Sequence, residues 1–358
     1  MKKEFDYAVY IGRFQPFHSG HLETLRLALK KAERLIIIVG SHNTPRTIKN
    51  PWTAHERQVM IQSVLTKDAR QKINFEYVED RLYQEKEWVD QVQKAVYKHV
   101  NTNDKIGIVG HRKDESSYYL NSFPEWDIIE TGPYIKETNK DEGKSLSSTK
   151  IRELMFEGYV GFVESNVPAE VYHFLENWTH KDTFKDLKEE YNFEIKYAKQ
   201  FESVPYAANF ITTDAVVVQS GSVLMVQRGE RPGKGLWALP GGHVDPNESV
   251  FDAVLRILRE ETHLKVPEKV LRGSIRGKEV FDDPDRSLRG RVIKKNARTL
   301  TIAYCFELDD LQPLPTNLKT GEGIEKVWWH PLGMVRGGMR DQLFEDHADI
   351  IDYFIGRL

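Results

Sequence analysis

The run Gly12-Arg13-Phe14-Gln15-Pro16-Phe17-His18-Ser19-Gly20-His21 follows directly on the apolar stretch Tyr7 to Ile11. Two histidines three residues apart share the first turn of a helix, and Pro16 keeps that helix from starting before them. A helix N-terminus carries unpaired N–H groups and a partial positive charge, which suits phosphate. Imidazoles added there donate hydrogen bonds whether neutral or charged. Gly20 permits a ligand close to the backbone, Gly12 ends the preceding strand, and Arg13 brings a fixed charge on the incoming loop. A lone histidine here would read as an ordinary helix start. The whole set, at the carboxyl end of a first strand, reads as a polyphosphate cradle.

The elements that must position this cradle are legible up to about residue 130. Strand-like runs at Tyr7–Ile11, Leu35–Val39, Ile73–Val78, Ile106–Val109 and Trp126–Ile129 alternate with helical patterns at Leu22–Leu29, Thr53–Leu65 and Glu85–Val100. Short apolar strands separated by amphipathic helices predict a doubly wound parallel sheet. Ligands in such folds sit at the carboxyl ends of the strands. A charged helical stretch from Pro168 to about Tyr197 then leads into a different grammar. Strands at Ala215–Val218 and Val223–Gln227, one helix from about Glu248, β-rich segments at 280–281 and 299–308, and a helix from about Asp341 predict an α+β domain. The expected division is residues 1–185 and 186–358, the natural prior for 358 residues.

Composition narrows the classes. Apolar residues make up 40% and aromatics 11%, which is globular rather than disordered. A formal net charge of −3 speaks against a nucleic-acid binder driven by bulk electrostatics. The single cysteine, Cys305, lies in an apolar run, so no disulfide framework exists and a reducing, cytoplasmic setting is expected. Neither a signal peptide nor the ~20-residue apolar stretch of a membrane helix is expected.

His18-Ser19-Gly20-His21 resembles the His-x-Gly-His motif of the nucleotidylyltransferase superfamily, whose core is Rossmann-like. The chain is more closely similar to nicotinamide mononucleotide (NMN) adenylyltransferases of the archaeal-like type over residues 5–175. The segment 47–57 (TIKNPWTAHER), the segment 85–89 (EKEWV) and the segment 147–152 (SSTKIR) carry that likeness. The resemblance implies that His18, His21, Arg13 and Arg152 hold the triphosphate of ATP, with Ser148 and Thr149 at a second helix start. It implies that Trp88 stacks on the nicotinamide ring and that Gly110, ending the fourth strand before His111, passes close to a base. Lys49 stands where relatives often carry arginine, so its contact would be monodentate. The implied reaction is attack of the NMN phosphate on the α-phosphorus of ATP, giving NAD and pyrophosphate with Mg²⁺ neutralising charge. Another phosphate acceptor stays open as an alternative.

The stretch from Gly242 to Leu264 resembles the Nudix motif. Gly242, Glu248, Arg256, Leu258, Glu260, Glu261 and Leu264 fall on its positions, while Ile257 replaces a glutamate and His263 a glycine. The resemblance implies Mg²⁺ or Mn²⁺ held by Glu248, Glu260 and Glu261, with Glu260 and Glu261 catalytic and Glu322 as an extra acid. The loop 280–291 looks like a segment of ADP-ribose pyrophosphatases fused to NMN adenylyltransferases, so Arg286, Arg289 and Arg291 would grip phosphates. Residues 257, 260 and 261 share one helix face, and Ile257 puts an apolar group beside the two acids. Two outcomes therefore stay open: cleavage of ADP-ribose to AMP and ribose 5-phosphate, or a non-catalytic sensor of ADP-ribose or NAD. The expected partners are small nucleotides, not nucleic acid or membrane, with a homo-oligomer left open.

Overall fold

The computed structural model of the protein describes residues 3–110, 120–132, 147–201, 203, 206, 208–283, 286 and 297–357. The chain divides into two compact units, Met1–Lys188 and Glu189–Leu358.

The first unit opens with β1 (Phe5–Gly12), α1 (Ser19–Lys31), β2 (Ala32–Val39), α2 (Ala54–Ser63) and α3 (Lys67–Gln71). It continues through β3 (Ile73–Tyr77), α4 (Glu85–Tyr97), β4 (Ile106–Gly110) and β5 (Asp127–Glu130). The order is β3-β2-β1-β4-β5, parallel throughout. Residues 35–39 are wholly buried, as strands covered on both faces must be. Because β1 is flanked by β2 on one side and β4 on the other, the order in which strands are added reverses beside it, and the residues after Gly12 occupy the ligand edge. Glycine at 110 has an internal cause. A Cβ there would lie 2.6 Å from Leu120 Cδ2, so packing of Leu120 over β4 accounts for the small residue.

Beyond the sheet come α5 (Ser148–Glu157), a 3₁₀ segment (Val160–Asn166), α6 (Ala169–Trp178) and α7 (Asp182–Lys199). The single helical stretch expected from 168 to 197 is thus two helices. Trp178 closes them onto the core of this unit: it is 1% exposed, its ring 5.0 Å from that of Trp52 and 5.3 Å from that of Phe184.

The second unit contains β6 (Ala208–Gln219), β7 (Ser222–Arg228), β8 (Trp237–Ala238), β9 (Gly241–His243), α8 (Val250–Thr262) and α9 (Glu268–Gly273). Then follow β10 (Ile275–Phe281), β11 (Ala297–Glu307), β12 (Ile324–Pro331), α10 (Leu332–Gly337) and α11 (His347–Ile355). The sheet is mixed: β11 runs parallel to β6, and β10 and β12 pair antiparallel at its edges. The apolar stripe of α8 (Val254, Leu255, Leu258) packs on Ala215, Val217, Leu224 and Trp329. The last helix starts at His347 rather than near Asp341, because a 3₁₀ turn (Arg340–Gln342) precedes it. Among the described residues no helix is long and apolar enough to cross a membrane.

Replacing Trp178 by alanine should destabilise the protein by about 3–5 kcal/mol, the usual cost of emptying a large aromatic site. Chemical denaturation followed by far-ultraviolet circular dichroism measures it; a shift below about 1 kcal/mol would contradict the packing described.

Candidate functional site

The turn between β1 and α1 is closed by its own histidines. His18 is the N-cap of α1: its Nδ1 accepts the His21 N–H at 3.3 Å, and His21 Nδ1 accepts the His18 N–H at 3.2 Å. The two rings stack with centroids 3.6 Å apart. An Nδ1 that accepts a hydrogen bond carries no proton, so the proton of each neutral ring resides on Nε2. Burial lowers His18 to about 4, and burial together with the neighbouring ring takes His21 well below its ordinary value. Both are neutral near pH 7, each with an Nε2–H donor left after the cap is satisfied. Phe17 stacks on His21 and Phe14 meets it edge-on. Gly12 is held to glycine by Phe14, whose Cζ would lie 2.7 Å from an added Cβ. Gly20 is the second residue of α1 and is buried.

A second helix start joins the same loop. Ser147 occupies the N-cap of α5 without a side-chain cap, and Ser148 Oγ instead donates to Pro16 O at 3.1 Å. The amides at the start of α5 therefore stay open to an anion. Arg152 donates to Gln15 O at 2.6 Å and to Thr149 Oγ1 at 3.2 Å. Its burial and the nearby charge of Arg13 bring it down to about 10, so it stays cationic at neutral pH. Arg13 itself is exposed. His18, His21, Arg13, Ser148, Thr149 and Arg152 thus converge on one loop.

The 47–57 segment is pinned to that loop by a residue that the motifs did not single out. Gln15 exchanges two hydrogen bonds with the Trp52 main chain, at 2.8 and 3.1 Å. Thr53 and Glu56 form a reciprocal cap at the start of α2, and Arg46 pairs with Glu56 at 2.6 Å. Lys49 is half-buried in the turn between Thr47 and Asn50. Trp88, in the first turn of α4, packs against the core beside Phe123 with centroids 6.0 Å apart. Packing thus accounts for part of its burial. His111 lies outside the described residues.

In the second unit, the helix α8 runs from an N-cap at Ser249 to His263, which takes the left-handed conformation (φ 51°) where the motif has glycine. That conformation costs a non-glycine residue roughly 1–2 kcal/mol, offset here by contact of His263 Nδ1 with Lys319 O at 3.2 Å. Gly321 abuts the same helix end so closely that a Cβ would stand 2.1 Å from Glu260 O. Arg256 gathers the acids. It bonds Glu248 twice, at 2.6 and 3.0 Å, and Glu260 at 3.0 Å. The Arg256 bonds, with the Asp245 N–H, take Glu248 down to about 2. Glu260 is exposed on the helix face. Glu261 accepts the Gly241 N–H at 3.1 Å, and burial raises it to about 7. Ile257 is 5% exposed, with its Cδ1 3.5 Å from where a Gly242 Cβ would stand.

Glu248 and Glu260 are occupied by Arg256, Glu261 by a backbone amide, and Ile257 is apolar. Among the described residues no group of three or more His, Cys, Asp or Glu could hold a metal ion. Glu322 is exposed in the turn beside the end of α8. Arg286, expected to grip phosphate, is 5% exposed, bonds Asp346 through Nε at 3.0 Å and Nη2 at 3.2 Å, and contacts Thr299. A buried charge needs such a partner. Arg289 and Arg291 lie outside the described residues.

Comparison with known proteins places both units. A cytidylyltransferase-like family model matches residues 9–154 and a NUDIX domain model matches residues 209–354. The chain is 39% identical over 188 residues to a nicotinamide/nicotinic acid mononucleotide adenylyltransferase of Acinetobacter baylyi, covering 52% of this chain and 94% of that protein. It is similar over its whole length to the crystal structure of a bifunctional NMN adenylyltransferase/ADP ribose pyrophosphatase from Francisella tularensis. That match has 36% identity, TM-score 0.88 and coverage of 98% of this chain and 99% of the other. A second Francisella structure, complexed with AMP and a Mn ion, aligns at 34% identity and TM-score 0.87, with 99% of each chain covered.

If the reciprocal cap sets the tautomers, nitrogen-15 spectra of histidine-labelled protein at pH 7 will show His18 and His21 as neutral Nε2–H rings. His18 should titrate near 4 instead of 6.5. The unfolded chain binds that proton earlier, so the rings' effect on stability is a loss as pH falls from 6.5 towards 4. An Nδ1–H tautomer in either ring would contradict the cap.

Proposed function

The chain belongs to the family of bifunctional NMN adenylyltransferase/ADP-ribose pyrophosphatases, and from that premise we propose that its residues 1–185 make NAD by transferring adenylyl from ATP to NMN. The observation that carries the reading is the reciprocal His18–His21 cap, which commits both rings to donating through Nε2 at a helix start. ATP arrives as its magnesium complex, the metal being part of the substrate. The imidazole N–H groups, the amides opening α1 and α5, Ser148, Thr149, Arg13 and Arg152 bind the triphosphate. These groups offset the negative charge that grows on pyrophosphate as it leaves. Neutral rings can donate without giving up a proton, so they orient rather than titrate. Lys49 and Trp88 serve the acceptor side, with the outer face of Trp88 against the nicotinamide ring. The cytoplasm is the compartment in which these nucleotides and a buried, unpaired Cys305 coexist.

Residues 186–358 form the Nudix domain, whose ligand is ADP-ribose; the products of cleavage would be AMP and ribose 5-phosphate. Ile257 sets the limit on that activity, because it replaces an acid on the face that carries Glu260 and Glu261. A second reading, a sensor of ADP-ribose or NAD without hydrolysis, is favoured by the engagement of Glu248 and Glu260 with Arg256.

Two measurements test these assignments. His21→Ala should lower kcat/KM for NAD formation by roughly a hundredfold to a thousandfold, the scale for losing one preorganised donor. Product formed from an acceptor other than NMN, with none from NMN, would refute the substrate. In the other unit, ADP-ribose turnover with Mg²⁺ or Mn²⁺ should be slow in wild type and rise at least about tenfold in Ile257→Glu. Silence in both proteins would favour the sensor.

A further inference from the structure

Arg57 closes the 47–57 segment and lies in no part of the cradle, yet it is fully buried. Its guanidinium donates to four main-chain carbonyls: Nη1 to Arg13 O and Gly40 O, each at 2.6 Å, Nη2 to Ser41 O at 2.9 Å, and Nε to Thr53 O at 3.2 Å. One planar fork thus ties the loop after β1, the loop after β2 and the cap of α2. Such a span needs donors in fixed relative directions, which arginine has and lysine lacks.

The charge is the unusual part. A buried cation ordinarily has a carboxylate in contact. The nearest acids, Asp80 and Glu56, act on Arg57 only through space. Asp80 is engaged by the amide and hydroxyl of Ser41, and Glu56 by Arg46 and Thr53. Arg13 lies near enough to disfavour the charged forms of both Arg57 and Arg152. Three guanidinium groups therefore crowd one loop. Left to itself, an exposed arginine in this field would turn towards water. An arriving anion relieves the repulsion.

We propose that Arg57 is a positioning residue for adenylyl transfer, its buried fork holding the Arg13 main chain so that the Arg13 side chain stays where the triphosphate arrives. The proposal rests on the reading of residues 1–185 as an adenylyltransferase. Arg57 reaches no substrate; it acts through Arg13.

A double-mutant cycle on the full chain tests it, with Arg13→Ala, Arg57→Lys and the pair assayed at varied ATP and NMN, and thermal melting recorded alongside. Arg57→Lys keeps a charge but not the fork, and should raise KM for ATP roughly tenfold while leaving KM for NMN within about twofold. In the Arg13→Ala background the same change should add little, because the side chain it positions is gone. Arg57→Gln, without the charge, should do worse than lysine. Fully additive penalties overturn the proposal, as does a fall in kcat alone that tracks the unfolded fraction. If neither the lysine nor the glutamine variant can be obtained folded, Arg57 belongs to fold stability and the proposal is overturned. A wild-type protein that forms no NAD overturns the adenylyl-transfer reading itself, a result visible before any variant is made.

Discussion

Two backbone amides at the start of α1 find their acceptors in the ring nitrogens of His18 and His21, and each ring is thereby left with one donor to offer. A serine or aspartate would cap the helix as well, but would leave no N–H facing outward. A lysine would bring charge without sealing the turn. Using imidazole for both tasks makes the helix start and the anion site the same object, and burial keeps the rings from taking up a proton that would break it. The loop can then be built around it: Pro16 and Gln15 offer their carbonyls to Ser148 and Arg152, which brings the open end of α5 to the same place.

The cationic groups around that loop repel one another, and the fold answers with main-chain oxygen rather than with acids. Arg57 is satisfied by carbonyls, and Arg152 partly so. Carboxylates in contact would have neutralised the charge in advance and weakened any attraction for phosphate. Carbonyl dipoles satisfy the N–H groups while leaving the net charge for an incoming anion.

The second unit shows the opposite balance. Arg256 is surrounded by Glu248 and Glu260, so its charge is more than matched by acids on the outer side of α8. Glu261 is set apart under Gly241, where burial favours its protonated form. Ile257 then completes a helix face in which one acid is paired, one is shielded and one position is apolar. The same α8 serves the core well, since Leu255 and Leu258 bury against the sheet whether or not position 257 is acidic.

Local spacing by itself pointed to anion chemistry at 12–21, because cap geometry, helix polarity and proline are properties of a few consecutive residues; the same expectation at 147–152 came from the resemblance of that segment to a family motif. Local spacing determined the parallel and mixed sheets too, through apolar runs of strand length broken by helical periodicity. Only the tertiary structure decided which arginines face water. Arg57 and Arg286 look in sequence like any charged residue in a loop or helix, yet both are buried, one by carbonyls from three segments and the other by Asp346, 60 positions away. Trp88 and Gly110 likewise carried expected ligand roles for which packing on Phe123 and Leu120 supplies a structural cause. The reason is common to all four: burial and pairing are set by what distant strands bring alongside, and no window of neighbouring residues contains that information.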